Sequence, residues 1–156
     1  MRGQDAFELS GRVAVRYGAE GASGRLVWRH STAADDLLIS SPLGQGIARL
    51  TRREGEVQLV TSGDKTHSAA DAETLTEQVL GWRLPLTGLP DWVQGRADPA
   101  RPSEFLHDAN GRATELRQDT WKIEYQEYEG ARPSKLRLLR GDIEIRLVVD
   151  EWRWAP

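Results

Sequence analysis

From residue 7 to residue 17 the chain alternates between apolar and polar positions. Phe7, Leu9, Val13, Val15 and Tyr17 share one parity, and Glu8, Ser10, Arg12 and Arg16 the other. A period of two with one wet side predicts a β-strand. Gly18 to Gly24 reads as a glycine-rich turn, and Arg25 to His30 returns with Leu26, Trp28 and His30 in phase, which predicts a hairpin. Further strand-like runs, Leu37-Leu38-Ile39 and Ile47 to Arg52, flank the segment Ser41-Pro42-Leu43-Gly44-Gln45-Gly46. Val57 to Thr61 follows the charged turn Arg53-Glu54-Gly55, and a short strand is expected at Thr66 to Ser68.

The period then changes. Asp71 is a good N-cap, and Ala72, Leu75, Val79 and Trp82 recur at helical spacing until Gly81 and Pro85 interrupt the pattern. A second short helix is expected to start near Thr87, with Pro90 in its first turn and its end at Gly95; its apolar residues are Leu89, Trp92 and Val93. After a loop at Arg96 to Pro102, strand signals resume at Ala113 to Gln118, Trp121 to Tyr128, Pro133 to Leu139 and Ile143 to Val149. Trp152 and Trp154 have the opposite parity to Ile143, Ile145, Leu147 and Val149, so a bulge or strand end is expected near Asp150-Glu151. The outline is α+β: an antiparallel, incompletely closed β-barrel whose concave side is covered by a short helical lid. It predicts one domain over residues 1–156 with a helical insertion at about 71–95.

Composition narrows the function. With 156 residues and 38% hydrophobic positions the chain can bury a substantial core. A net charge of -3, with basic and acidic residues intermixed, argues against a nucleic-acid partner, whose phosphates call for a basic face. No apolar run approaches the roughly 20 residues that span a bilayer, and Met1-Arg2-Gly3-Gln4-Asp5-Ala6 lacks the apolar stretch of a signal peptide, so the expectation is a soluble chain. The absence of cysteine excludes disulfides, thiolate metal ligands and a thiol nucleophile.

No convergent catalytic set is legible. His30, His67 and His107 lack metal-ligand spacing, and neither a nucleophile elbow nor a phosphate-cradling glycine loop occurs. Asp35, Asp36, Glu124 and Glu127 leave a two-carboxylate hydrolase open, although most of them fall on the polar parity of their strands. The reading is a binding protein with no catalytic residues, no metal and no cofactor.

Two features point to what is bound. Six tryptophans against two phenylalanines make indoles the large apolar surfaces, which suit wide, partly wet cavities because the ring is greasy and its N–H can reach a partner. Trp28 and Trp121 share the apolar parity of their strands, as ordinary core or as cavity wall. The other feature is Leu43 in its Pro/Gly turn, which either projects into solvent or something greasier, or folds back beneath the turn.

Taken in order, Phe7-Glu8-Leu9-Ser10-Gly11-Arg12, Trp28, Ser41 to Gln45, Asp71-Ala72-Glu73, Gly81-Trp82-Arg83-Leu84-Pro85, Leu89 to Gly95 and Trp121 to Tyr125 resemble the LolB family of outer-membrane lipoprotein receptors across nearly the whole chain. The resemblance implies an open barrel whose helices lid a hydrophobic cavity. Its partners would be acylated lipoproteins, the periplasmic carrier LolA and the inner leaflet of the outer membrane. On that reading Pro42, Leu43 and Gly44 form the membrane-insertion loop. Val13, Val15, Trp28, Ile39, Leu59, Trp121, Ile123 and Ile145 line an acyl-chain cavity, and Leu75, Val79, Leu89 and Trp92 form its lid. The family carries a lipidated N-terminal cysteine; here the expectation is a chain that starts at an added Met1 downstream of that anchor, or a natural homologue without one. The competing readings are a soluble LolA-like carrier and a lipocalin-like transporter of small hydrophobic ligands.

Overall fold

The computed structural model describes residues 6–41, 46–61 and 65–154. Among them are eleven strands and two helices in the order β1 (Phe7–Tyr17), β2 (Glu20–His30), β3 (Ala34–Ser40), β4 (Gly46–Arg53), β5 (Glu56–Thr61), β6 (Lys65–Ala69), α1 (Ala72–Leu80), α2 (Leu89–Trp92), β7 (Glu104–His107), β8 (Ala113–Gln118), β9 (Trp121–Glu129), β10 (Arg132–Arg140) and β11 (Ile143–Trp154). The strands form one antiparallel sheet in the order β6-β5-β4-β3-β2-β1-β11-β10-β9-β8-β7. β6 and β7 are its two edges, so the ladder does not close into a barrel.

Most strand expectations hold within a residue or two, and the departures have physical causes. The turn between β1 and β2 is confined to Gly18 and Ala19, with Gly18 at φ 57°, and β2 already runs from Glu20. The glycine-rich stretch is therefore strand. Gly24 is needed there because a Cβ at its position would overlap the carbonyl oxygen of Ser40 on β3. Strand β7 is absent from the sequence reading: its four residues show no alternation, and only Phe105 is partly buried. β11 continues through Asp150 and Glu151, both exposed, while the buried parity moves from Val149 to half-buried Trp152.

The chain divides into two compact units, Met1–Arg12 with Ser23–Leu86 and Asp150–Pro156, and Val13–Ala22 with Thr87–Val149. In the first, α1 begins where the Asp71 carboxylate accepts the Thr74 backbone N–H at 2.8 Å and stops at Gly81, whose φ of 89° suits a residue without a Cβ. The helix packs on β5 and β6 with Leu75 fully buried. Thr76 ties the following segment back to the helix: its hydroxyl donates to the Ala72 carbonyl at 2.8 Å and accepts the Leu84 N–H at 2.9 Å. Trp82, Leu84 and Leu86 are buried behind it. In the second unit, α2 is a single turn with proline in its first positions, and the chain leaves it through Gly95 at φ 82°.

Candidate functional site

The inward face of the first unit carries an aromatic cluster. Phe7 meets Trp28 edge-on at 5.0 Å between ring centroids, and lies 5.1 Å from His30 and 5.2 Å from Trp152. Beneath it Asp35 is 2% exposed. Its carboxylate accepts Trp28 Nε1–H at 2.8 Å and Arg52 Nε–H at 2.7 Å, and lies 2.7 Å from His30 Nδ1. Burial alone would raise the Asp35 pKa, but a hydrogen bond and charge from His30, together with hydrogen bonds from Trp28 and Arg52, outweigh it, so the group is held below the usual carboxylate value. Asp35 shares the parity of Leu37 and not the polar parity on which the sequence reading put most of the carboxylates. The signal was available as a charged residue two positions from a buried leucine, yet the continuous run Leu37-Leu38-Ile39 hid which face was which.

In the second unit Gln118, 3% exposed, does the corresponding work. Its Oε1 accepts Trp92 Nε1–H at 2.8 Å and the Asp98 N–H at 3.0 Å, while its Nε2 donates to the carbonyls of Asp98 at 2.9 Å and Arg101 at 3.0 Å. One amide side chain thereby fixes both the α2 tryptophan and the loop behind it. The Tyr125 hydroxyl donates to the Trp92 carbonyl at 2.7 Å, and burial drives the Tyr125 pKa far up, leaving the phenol neutral. Sequence reasoning missed Gln118 too, although it sits on the parity of buried Leu116.

Each candidate apolar residue can be placed within its own unit. In the first, Trp28, Leu59 and Leu75 are buried, while Ile39 and Val79 are half-buried. In the second, Val15, Leu89, Trp92, Trp121, Ile123 and Ile145 are buried, and Val13 is half-buried. Trp92 is fully enclosed and hydrogen-bonded, which makes it an anchor of its segment. Pro42, Leu43 and Gly44 lie outside the described residues; the strands before and after them in the chain are β3 and β4, paired Ser40 to Gly46 across a register shift after Ile39. Among the described residues no group of three or more His, Asp or Glu could hold a metal, and no helix is long and apolar enough to cross a membrane.

These side chains make apolar faces pinned by buried polar anchors. A family model described as outer membrane lipoprotein LolB matches residues 5–152. The chain belongs to the LolB family. Relatives named outer-membrane lipoprotein LolB include one from Thiobacillus denitrificans, 42% identical over 153 residues, which cover 97% of this chain and 82% of that protein. Another, from Pseudomonas paraeruginosa, is 40% identical over 153 residues, covering 96% and 75%. Among solved structures, a LolA superfamily protein from Nitrosomonas europaea aligns over 98% of this chain and 87% of its own with a TM-score of 0.57 at 9% identity. An outer membrane lipoprotein-sorting protein domain from Vibrio parahaemolyticus gives 0.54 at 7%, covering 98% and 86%. Sequence thus sets the LolB family, and the distant structures share its fold.

Proposed function

We propose that the protein is a lipoprotein receptor of the outer membrane, which accepts acylated lipoproteins from the periplasmic carrier LolA and passes them to the inner leaflet. The observation that carries this reading is the LolB match across residues 5–152. The apolar faces of both units support it. Trp28, Ile39 and Leu59 with Leu75 and Val79 in one unit, and Val13, Val15, Trp121, Ile123 and Ile145 with Leu89 and Trp92 in the other, are the surfaces assigned to acyl chains. The half-buried members, Ile39, Val79 and Val13, are the ones a chain would reach first.

Burying an acyl chain is worth about 0.8 kcal/mol per CH2, so a long chain released into water would forfeit on the order of 10 kcal/mol. A receptor must therefore cover the chain throughout. Transfer from LolA then runs downhill if these faces bind more tightly than the carrier does, without nucleotide or cofactor. Onward transfer needs a contact that lets the bilayer compete, and Leu43, which falls between β3 and β4 in the chain, is assigned to that contact.

Separating holding from delivery tests the reading. Leu43→Glu removes an apolar contact of roughly 1.5 to 3 kcal/mol and adds a charge resisted by the headgroup boundary. The variant should melt like the wild type, take acylated lipoprotein from LolA, and fail to pass it to liposomes. A stable variant that delivers normally removes Leu43 from the mechanism; a strongly destabilised one makes it a core residue.

A further inference from the structure

The chain contains a single asparagine, Asn110, and Gly111 follows it; no Asp-Gly pair occurs. In an Asn-Gly pair the backbone nitrogen of the glycine reaches the preceding side-chain amide with the least obstruction, because glycine has no Cβ to shield it. Both residues are exposed, in the hairpin turn that joins β7 to β8. The turn itself requires the glycine. Gly111 has a φ of 81°, while a Cβ built there would meet nothing within 4 Å, so conformation and not crowding excludes other side chains. The residue that lets the turn form also leaves its nitrogen uncovered.

Asp108 holds the turn on both sides of the Asn110–Gly111 linkage. Its Oδ1 accepts the Asn110 N–H at 2.8 Å and the Arg112 N–H at 3.0 Å, and its backbone carbonyl accepts the Gly111 N–H at 3.1 Å. The Asp108 N–H donates to the Arg112 carbonyl at 2.9 Å and closes the loop. Beyond it, the Arg112 guanidinium lies over the Tyr128 ring at 5.3 Å, and the Tyr128 hydroxyl donates to the Ala113 carbonyl at 2.6 Å. The arm that enters β8 is thereby fixed, and opening of the turn is local to residues 108–111.

We propose that Asn110 is a modification site, deamidated by water without an enzyme, and that Asp108 sets the rate. When the turn opens, the Gly111 nitrogen gives its proton to hydroxide and attacks Asn110 Cγ. The N–Cγ bond forms, the Cγ–Nδ2 bond breaks, and the leaving nitrogen takes a proton from water and departs as ammonia. One water then adds to either carbonyl of the succinimide ring and opens it to aspartate or isoaspartate. The net change is amide plus water to carboxylate plus ammonium, with no electron transferred. While the Gly111 N–H is donated to the Asp108 carbonyl its nitrogen does not attack, and the neighbouring carboxylate disfavours an amide anion. Isoaspartate inserts a methylene into a backbone turn closed by the Asp108–Arg112 pair, which loosens the edge strand β7. This chemistry is independent of the cargo the protein handles.

The folded full chain is incubated in mild alkali beside a synthetic peptide of residues 106–114, and isoaspartate is read by peptide mass mapping and by labelling with an isoaspartyl methyltransferase. Wild type should gain isoaspartate at residue 110, more slowly than the peptide, and Asn110→Ser should gain none there. Asp108→Ala, checked for wild-type melting, should convert about tenfold faster than wild type. Hydrogen exchange in residues 104–108 should be faster in the converted protein than in the unconverted one. Wild type that keeps Asn110 intact after the peptide has fully converted overturns the site, as does equal labelling of Asn110→Ser. Conversion of Asp108→Ala at the wild-type rate, or of wild type at the rate of the peptide, overturns the role of Asp108. Equal exchange before and after conversion overturns the loosening of β7.

Discussion

Replacing Asp35 by Asn tests how far a buried charge holds the aromatic cluster in place. Trp28 Nε1 and His30 Nδ1 share one oxygen of the Asp35 carboxylate and Arg52 Nε holds the other at 2.7 Å, so an Asn that keeps its oxygen for Trp28 turns its amide donor toward the Arg52 guanidinium. Removing one partner of a buried ion pair costs about 3 to 5 kcal/mol. Arg52 retains 28% of its exposure and a hydrogen bond to the Ser31 carbonyl at 3.2 Å, so the low end, about 3 kcal/mol, is expected. Urea denaturation followed by tryptophan fluorescence reads this as a shift of about 1 to 3 M in midpoint at unchanged slope. The pH dependence supplies the sign. Because the folded-state pKa of Asp35 lies below its ordinary 3.8, its stabilisation is complete above that value and is lost as pH falls through the folded-state pKa. Wild type should therefore lose its advantage over Asp35→Asn on acidification below about pH 4. A gap that stays constant or widens in acid would refute the argument, as would equal midpoints at neutral pH.

Three further outcomes follow from named contacts. Gly88→Ala should cost about 1 to 3 kcal/mol in thermal denaturation, because its Cβ would overlap the buried Trp92 ring although Gly88 has an ordinary helical backbone; an unchanged melting temperature would mean the α2 segment is free to shift. Gln118→Leu leaves the Trp92 N–H and two loop carbonyls without a buried partner, and should destabilise by about 2 to 3 kcal/mol and speed hydrogen exchange in residues 96–102, while protection equal to wild type would show the loop is held by other means. Val79→Asp, at a half-buried position of α1, should weaken titration by a fluorescent fatty acid with only a small change in melting, whereas equal binding would remove Val79 from the acyl-chain surface.

Where alternation was clean, the strand and its buried face were both legible: Phe7, Leu9 and Val15 lie inside as the pattern required, and so do Ile145, Leu147 and Val149. The start of α1 could be located from Asp71, because a cap is a local hydrogen-bonding requirement that a single residue type can meet, whereas its end falls at the first of the two expected stops, Gly81, and leaves Trp82 beyond the helix despite its helical spacing. What escaped depended on partners distant in sequence. Gly24 looked like turn glycine because its real constraint is the Ser40 carbonyl across the ladder. β7 is an exposed edge with no buried face to impose a period. Asp35 and Gln118 occupy apolar parities only because arginine, histidine, tryptophan and backbone groups from other elements satisfy them.

The receptor account stands most directly on transfer of cargo by its acyl chains. LolA loaded with an acylated lipoprotein should be mixed with this protein, and cargo on each followed over time, alongside the same cargo with its lipid removed. Acylated cargo is expected to move to this protein without nucleotide and to remain soluble there until liposomes are added, while the delipidated form stays unbound. Cargo that never leaves LolA, or equal capture of both forms, would contradict the account.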